Sequence, residues 1–438
     1  MLGWSIFKQN DYELSLVKFS QVLDRVFAEH SDLIVSDLTW VESHQKTLVN
    51  DLLRVMGLSF SYLDGAQSVT KLFDRVGAKH YEILVYSHYS NLLLDKELYT
   101  NAIDVYRAFI TRNPMSLWAP RYHINVIETL AKANFKATIY DEKVSFVESY
   151  GLASDFWHTH KDNPAQVPAY SETDHLAFSK IHLESFLIEL ADISYIKGQT
   201  AEKKLSKNLS KEIEAPSKAM QTHFAQASAY NRQFVDTFPN HPLNAKRLFL
   251  LAESEFKIQH WLNAIKAYEQ VGYDYPDFPD ASEAAYAVIV AYTEFSKSWT
   301  TFIPELAPEI KQKWRVVEQA NRLRFVAGHP TDKRALDVLF VALSHQFNNK
   351  AYELALANTD RLINWPASFQ NAPIASQFQL RESYLIKAHS LYALNRFQEA
   401  ENAYVVALAN LEKTDTRRLA LIENLAASVY KQAEALLQ

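Results

Sequence analysis

One spacing constrains this chain more than any other. In the stretch LYTNAIDVYRAFITRNP, Tyr99, Ala102, Tyr106, Phe109 and Pro114 stand at offsets 0, +3, +7, +10 and +15. Offsets of three, four and seven place side chains on one face of a helix, and proline ends it. The ladder recurs as Trp261, Ala264, Tyr268, Val271 and Pro276, and as Phe224, Ala227, Asn231, Phe234 and Pro239. It returns as Phe397, Ala400, Tyr404 and Ala407, as Tyr12, Ser15, Phe19 and Val22, and as Tyr352, Ala355, Thr359 and Leu362. A weaker copy contains Phe135, Thr138 and Ser145. Nine positions before the leading aromatic lies a small residue: Gly3, Ser90, Ala252 or Ala388, with Gly57 in the same role. Small residues let two antiparallel helices approach, and aromatics fill the space beside them.

A repeat of about 34 residues carrying this small/aromatic code resembles the tetratricopeptide repeat (TPR), a helix–turn–helix unit. The resemblance implies an all-α fold in which repeats stack into a right-handed superhelical solenoid. Repeats start near residues 50, 83, 119, 245, 336 and 381, with a further one at the N-terminus. Two divergent units use Thr173–Ile196 with Ser217–Thr237, and Ala281–Lys297 with Glu309–Val326. That makes about nine repeats. Three interruptions stand out: a long connection at Ala28–Gln45, a polar surface loop at Asp155–Asp174 and a charged insert at Gly198–Pro216. The expected organisation is an N-terminal array over 1–197, the insert over 198–216 and a C-terminal array over 217–438.

Composition narrows the function classes. The 45 basic and 51 acidic residues are interspersed, with no basic block of the kind nucleic-acid binding needs. The absence of cysteine excludes disulfides, thiolate metal sites and a cysteine nucleophile, and fits an oxidising compartment. Only eight glycines are present, so few tight turns and few phosphate-cradling loops are expected. The 23 tyrosines and 25 phenylalanines must fill many interhelical contacts. The longest apolar run, Ala284–Tyr292, is nine residues, far short of a membrane span.

The chain contains no HExxH, GxSxG, GxGxxG or GxxxxGK[ST] motif. His158 and His160, with Asp155 and Asp162, are the best metal candidates, but histidines two apart on a loop read first as solvated side chains. Glu253 and Glu255, two apart on a helix, point in different directions and do not form a catalytic pair. The reading is a chain without catalytic residues, metal or cofactor.

Short stretches, among them AKRLFLLAESEFKIQHWLNAIKAYEQV and LAASVYKQ, look like large TPR proteins of the Gram-negative envelope. That likeness implies a periplasmic or outer-membrane-associated scaffold, with an export signal and a lipid anchor upstream. The chain opens inside a helix and closes on Arg417–Leu437, which reads as the first helix of another repeat, so a fragment of a longer protein is expected. The TPR resemblance further implies that positions 2, 5, 9, 12 and 13 of each first helix line a concave groove for a peptide or amphipathic helix. These are Asp51, Arg54, Leu58, Ser61 and Tyr62, then Leu84, Ser87, Asn91, Leu94 and Asp95. Further along they are Lys246, Phe249, Glu253, Phe256 and Lys257, and then Glu382, Leu385, His389 and Tyr392. Ser87 and Asp95 stand where a clamp for chaperone C-terminal carboxylates would place cations, which disfavours that ligand. The leading expectation is a non-catalytic protein-binding scaffold of an envelope complex. The alternatives are a recruiting or regulatory segment of a larger enzyme, and a cytoplasmic adaptor or chaperone.

Overall fold

The computed structural model describes residues 2–28, 35–39, 41–160, 175–208, 217–302, 307–365 and 373–436. Among them there is no strand, and helix follows helix in antiparallel pairs. The first helix of a pair is called A and the second B. The first pairs are α1 (Leu2–Lys8) with α2 (Tyr12–Val26), α3 (Ser43–Tyr62) with α4 (Ala66–Val76), α5 (Glu82–Leu94) with α6 (Tyr99–Arg112), and α7 (Ala119–Lys132) with α8 (Lys136–Tyr150). Then come α9 (Asp155–His160), α10 (His175–Asn208) and α11 (Lys218–Thr237). The later pairs are α12 (Asn244–Lys257) with α13 (Trp261–Asp274), α14 (Ala281–Phe302) with α15 (Pro308–Gly328), α16 (Ala335–Asn348) with α17 (Tyr352–Ile363), and α18 (Gln377–Ala393) with α19 (Phe397–Asn410). A lone A helix, α20 (Arg418–Leu436), follows.

The chain divides into two compact units. Unit 1 comprises 1–204 and 229–241, and unit 2 comprises 205–228 and 242–438. The division therefore passes through α10 and α11. Within each unit successive helices pack on one another, α5 on α6, α6 on α7, α12 on α13 and α13 on α14. This is the TPR-like helical repeat solenoid that the ladder implies.

The small/aromatic code does the packing. Ser90 and Ala102, Ala252 and Ala264, and Ala388 and Ala400 are each 0% exposed, so in these three repeats a small residue from A and one from B sit at the crossing. Aromatic rings then link one repeat to the next. Phe73 stacks with Tyr86 at 6.0 Å, Tyr86 meets Phe109 edge-on at 5.3 Å, and Phe109 stacks with Tyr122 at 4.2 Å. Each such pair contributes about 0.5–1.5 kcal/mol beyond its area burial.

The A-to-B turns explain how so few glycines suffice. Asn10, Glu97, Asn134, Gln259, Lys350 and Asn395 all have φ between 56° and 63°. Each lies two residues before the start of its B helix. Behind them the chain closes Schellman-type bonds, Leu98 N–H to Leu93 O at 2.9 Å, His260 N–H to Glu255 O at 2.9 Å and Arg396 N–H to Leu391 O at 3.0 Å. The expectation of few tight turns is thus corrected: tight left-handed turns recur, built from non-glycine residues. They also correct one register. Asn134 sets Lys136, not Phe135, as the first residue of α8. The weak ladder therefore runs Lys136, Ile139, Lys143 and Phe146, and Phe146 is fully buried.

The interruptions are more structured than their composition suggests. In the connection expected over 28–45, Val35, Leu38 and Val41 are buried with Phe27 and Tyr81, and Val35 N–H donates to His80 O at 2.8 Å. The loop expected over 155–174 begins as helix α9, with Phe156 and Trp157 buried, and its residues 161–174 lie outside the described ones. Helix α10 runs to Asn208, into the charged insert, of which 209–216 lie outside the described residues.

Candidate protein-binding surface

The A-helix positions expected to face a groove fall into two groups. In unit 1, Asp51, Arg54, Ser61 and Tyr62 on α3 are exposed, as are Asn91 and Asp95 at the end of α5. Tyr62 is 62% exposed and stacks on Tyr12 at 4.9 Å. Leu84 lies in the core, 6% exposed, and Ser87 is half-buried, its hydroxyl 2.8 Å from that of Tyr122 in the next repeat. In unit 2, Lys246 is exposed and Phe249, Glu253, Phe256 and Lys257 are half-buried on α12. Phe249 packs edge-on against Tyr268 at 6.1 Å, and Phe256 does so against Trp261 at 5.0 Å.

Several polar residues of this set are committed inward. The Tyr268 hydroxyl donates to Glu253 Oε1 at 2.5 Å, and the Tyr404 hydroxyl lies 2.9 Å from His389 Nδ1. Both pairs join position 9 of an A helix to the ladder tyrosine of its own B helix. Burial pushes the His389 imidazole below its ordinary pKa. Glu382 accepts from Arg417 Nη1 at 2.7 Å, and Tyr392 is edge-on to Phe397 at 5.4 Å. By contrast, the side chains of Asp51, Arg54, Asn91 and Lys246 make no hydrogen bond or ion pair within the described residues.

The acidic and histidine candidates are also placed. Glu253 and Glu255 diverge as expected: Glu255 is 4% exposed and holds the Ser228 hydroxyl at 2.6 Å and His260 Nδ1 at 2.9 Å. His158 and His160 sit on α9 rather than on a loop, and two residues of helix send them apart. His158 is exposed, while His160 is buried with Nε2 2.7 Å from the Met115 carbonyl. No group of three His, Asp or Glu side chains that could hold a metal ion occurs among the described residues, and Asp162 lies outside them.

Cavities involve the B helices as well. In unit 1, one of about 820 Å³ is lined by Gln67, Thr70 and Lys71 of α4 and by Asn101, Asp104 and Arg107 of α6. Asp104 and Arg107 also border one of about 510 Å³ reaching Phe135 and Lys136. In unit 2, one of about 410 Å³ lies between Asp360, Tyr384, Lys387 and Arg396. The ladder marks buried positions only, and the polar residues that line these cavities stand outside it, so the spacing carries no signal for them.

A second motif was also missed. Asp332 and Arg334 in TDKR, and Asp415 and Arg417 in TDTR, occupy equivalent loops before α16 and α20. Arg334 grips Asp332 through Nε and Nη2 at 2.9 and 2.8 Å, and its Nη1 reaches Glu283 of the preceding A helix at 2.8 Å. Arg417 repeats this with Asp415 and Glu382 at 3.1, 2.8 and 2.7 Å. Each arginine staples a loop to the repeat before it. Burial raises the Asp332 pKa, but the hydrogen bonds and charge of Arg334 outweigh it and hold the carboxyl at about 2.

No family model matches the chain, and no curated protein does. Among solved structures, it is similar to BtubC (BKLC) from P. vanneervenii, at 11% identity over 51% of this chain and 90% of that one, TM-score 0.23. It is also similar to the TPR domain of P58(IPK), at 8% identity over 99% and 97%, TM-score 0.23. A circular tandem repeat protein of novel repeat topology matches at 11% identity over 97% and 91%, TM-score 0.26. No helix among the described residues is long and apolar enough to cross a membrane.

Proposed function

We propose that this chain is a non-catalytic scaffold that binds proteins through the A-helix face of its repeats. The observation that carries the reading is that A helices of each unit hold exposed polar side chains without a hydrogen bond or ion pair among the described residues, Asp51, Arg54 and Asn91 in unit 1 and Lys246 in unit 2, the last on the same helix as the half-buried rings of Phe249 and Phe256. A rigid face with open charges next to aromatic surface suits an extended peptide or an amphipathic helix. Affinity capture from cross-linked native cells tests this, using the chain and a variant with Asn91, Phe249 and Glu253 replaced by alanine. A protein captured by the first and lost from the second supports the A-helix face. Equal capture by both would place the contact elsewhere.

The compartment we propose is the periplasm or the outer-membrane surface of a Gram-negative cell, in the assembly or maintenance of an envelope complex. The absence of cysteine and the envelope-like stretches support it. Cell fractionation decides the point: recovery of the native protein in the cytosolic fraction overturns it.

A further inference from the structure

Helix α20 carries an apolar stripe that faces outward. Leu419, Ile422, Val429 and Tyr430 are 69%, 49%, 47% and 67% exposed, and Ala426 between them is also exposed. The opposite side is packed: Leu421 and Ser428 are 2% and 0% exposed, Leu425 joins the α19 cluster, and Gln432 Nε2 donates to Glu401 Oε2 at 2.8 Å.

The equivalent Asp–Arg staples put α20 in register with α16. Arg417 stands where Arg334 does, so Leu419 corresponds to Leu336, Ile422 to Leu339, Ala426 to Leu343, Val429 to Gln346 and Tyr430 to Phe347. In α16 these positions are covered. Leu336, Leu339, Leu343 and Gln346 are 3%, 0%, 0% and 7% exposed. Their cover includes the following B helix: Ala355 and Leu362 of α17 share their cluster, Asn358 Nδ2 donates to Gln346 Oε1 at 2.9 Å, and Tyr352 meets Phe347 edge-on at 5.9 Å.

We infer that the outward face of α20 is a docking site for an amphipathic helix of the B type, with an aromatic at its start and a small residue three positions on. The partner continues the interface that already joins α16 to α17. This site is separate from the A-helix face proposed above, and its test reads a different helix.

The probe is a hydrocarbon-stapled peptide copying Tyr352–Ile363, with the staple replacing the exposed Glu353 and Ala357. It is titrated by fluorescence anisotropy into the full chain. Saturable binding is expected, weakened about tenfold or more by Ile422→Glu or Tyr430→Glu. Val405→Glu, on the exposed side of α19, should leave binding unchanged. A control peptide with Ala355→Trp, which blocks close approach, should not bind. Circular dichroism checks that each variant keeps its helicity and melting point. No binding to the wild-type chain, or binding that survives Ile422→Glu, overturns the inference. So does concentration-dependent self-association in sedimentation that Ile422→Glu abolishes, because the occupant is then a second copy.

Discussion

At the scale of single residues, two devices define the repeat. The first is the left-handed turn residue. Glu97 and Lys350 hold φ of 56° and 61°, a conformation that crowds a Cβ against the following carbonyl by about 1–2 kcal/mol. Glycine removes the clash but loses more chain entropy on folding. Glu97→Gly and Lys350→Gly should therefore each stabilise the protein, by about 0.5–1 kcal/mol, seen as higher urea midpoints at unchanged slope. The second device is the arginine staple. Asp332 titrates at about 2 in the fold against an ordinary 3.8. A depressed carboxylate pKa contributes stability that is fully present above the ordinary value and is lost as pH falls through the folded one. Asp332→Asn should cost about 2 kcal/mol near neutral pH, with the gap to the wild type closing between about pH 4 and pH 2.

At the scale of elements, helix spacing is set by what stands at the crossings. Gly272 of α13 faces Ala285 of α14 so closely that an added Cβ would lie 2.9 Å from the Ala285 backbone. Backbone cannot swing aside as a flexible side chain can, so the helices must separate. Gly272→Ala should destabilise unit 2 by about 1–3 kcal/mol despite its better helix propensity, measured by urea unfolding. The same rule accounts for the misregistered ladder of α8. Its first position is Lys136 and its small-residue position holds Ile139, so only the turn geometry at Asn134 reveals the true alignment.

At the scale of the molecule, stability in a stack of repeats is a sum of local terms and nearest-neighbour interfaces. Loosening one staple should therefore act locally. In amide exchange, Asp332→Asn should speed exchange in α14 to α17 while α5 to α7 keep wild-type protection. Equal loss of protection in both units would mean that the array unfolds as one cooperative body.

The sequence by itself determined the fold class and the core. Small residues at crossings and aromatics beside them obey a spacing that only paired helices satisfy, so Ala102, Ala264 and Ala400 could be placed as buried before any coordinates. The packed segment around Val35 and the helix at His160 escaped that reading because each depends on contacts with residues far along the chain, and the turns escaped it because their left-handed residues are not glycines. The candidate surface was legible only in part. A helical period says which side of α5 or α12 points away from its partner, but not that Ser87 would meet Tyr122 or that Glu253 would meet Tyr268. Which polar side chains are used up inside the stack and which stay open is decided by the paired helix, as for Glu253, or by the next repeat, as for Ser87, and only the tertiary structure brings those partners into place.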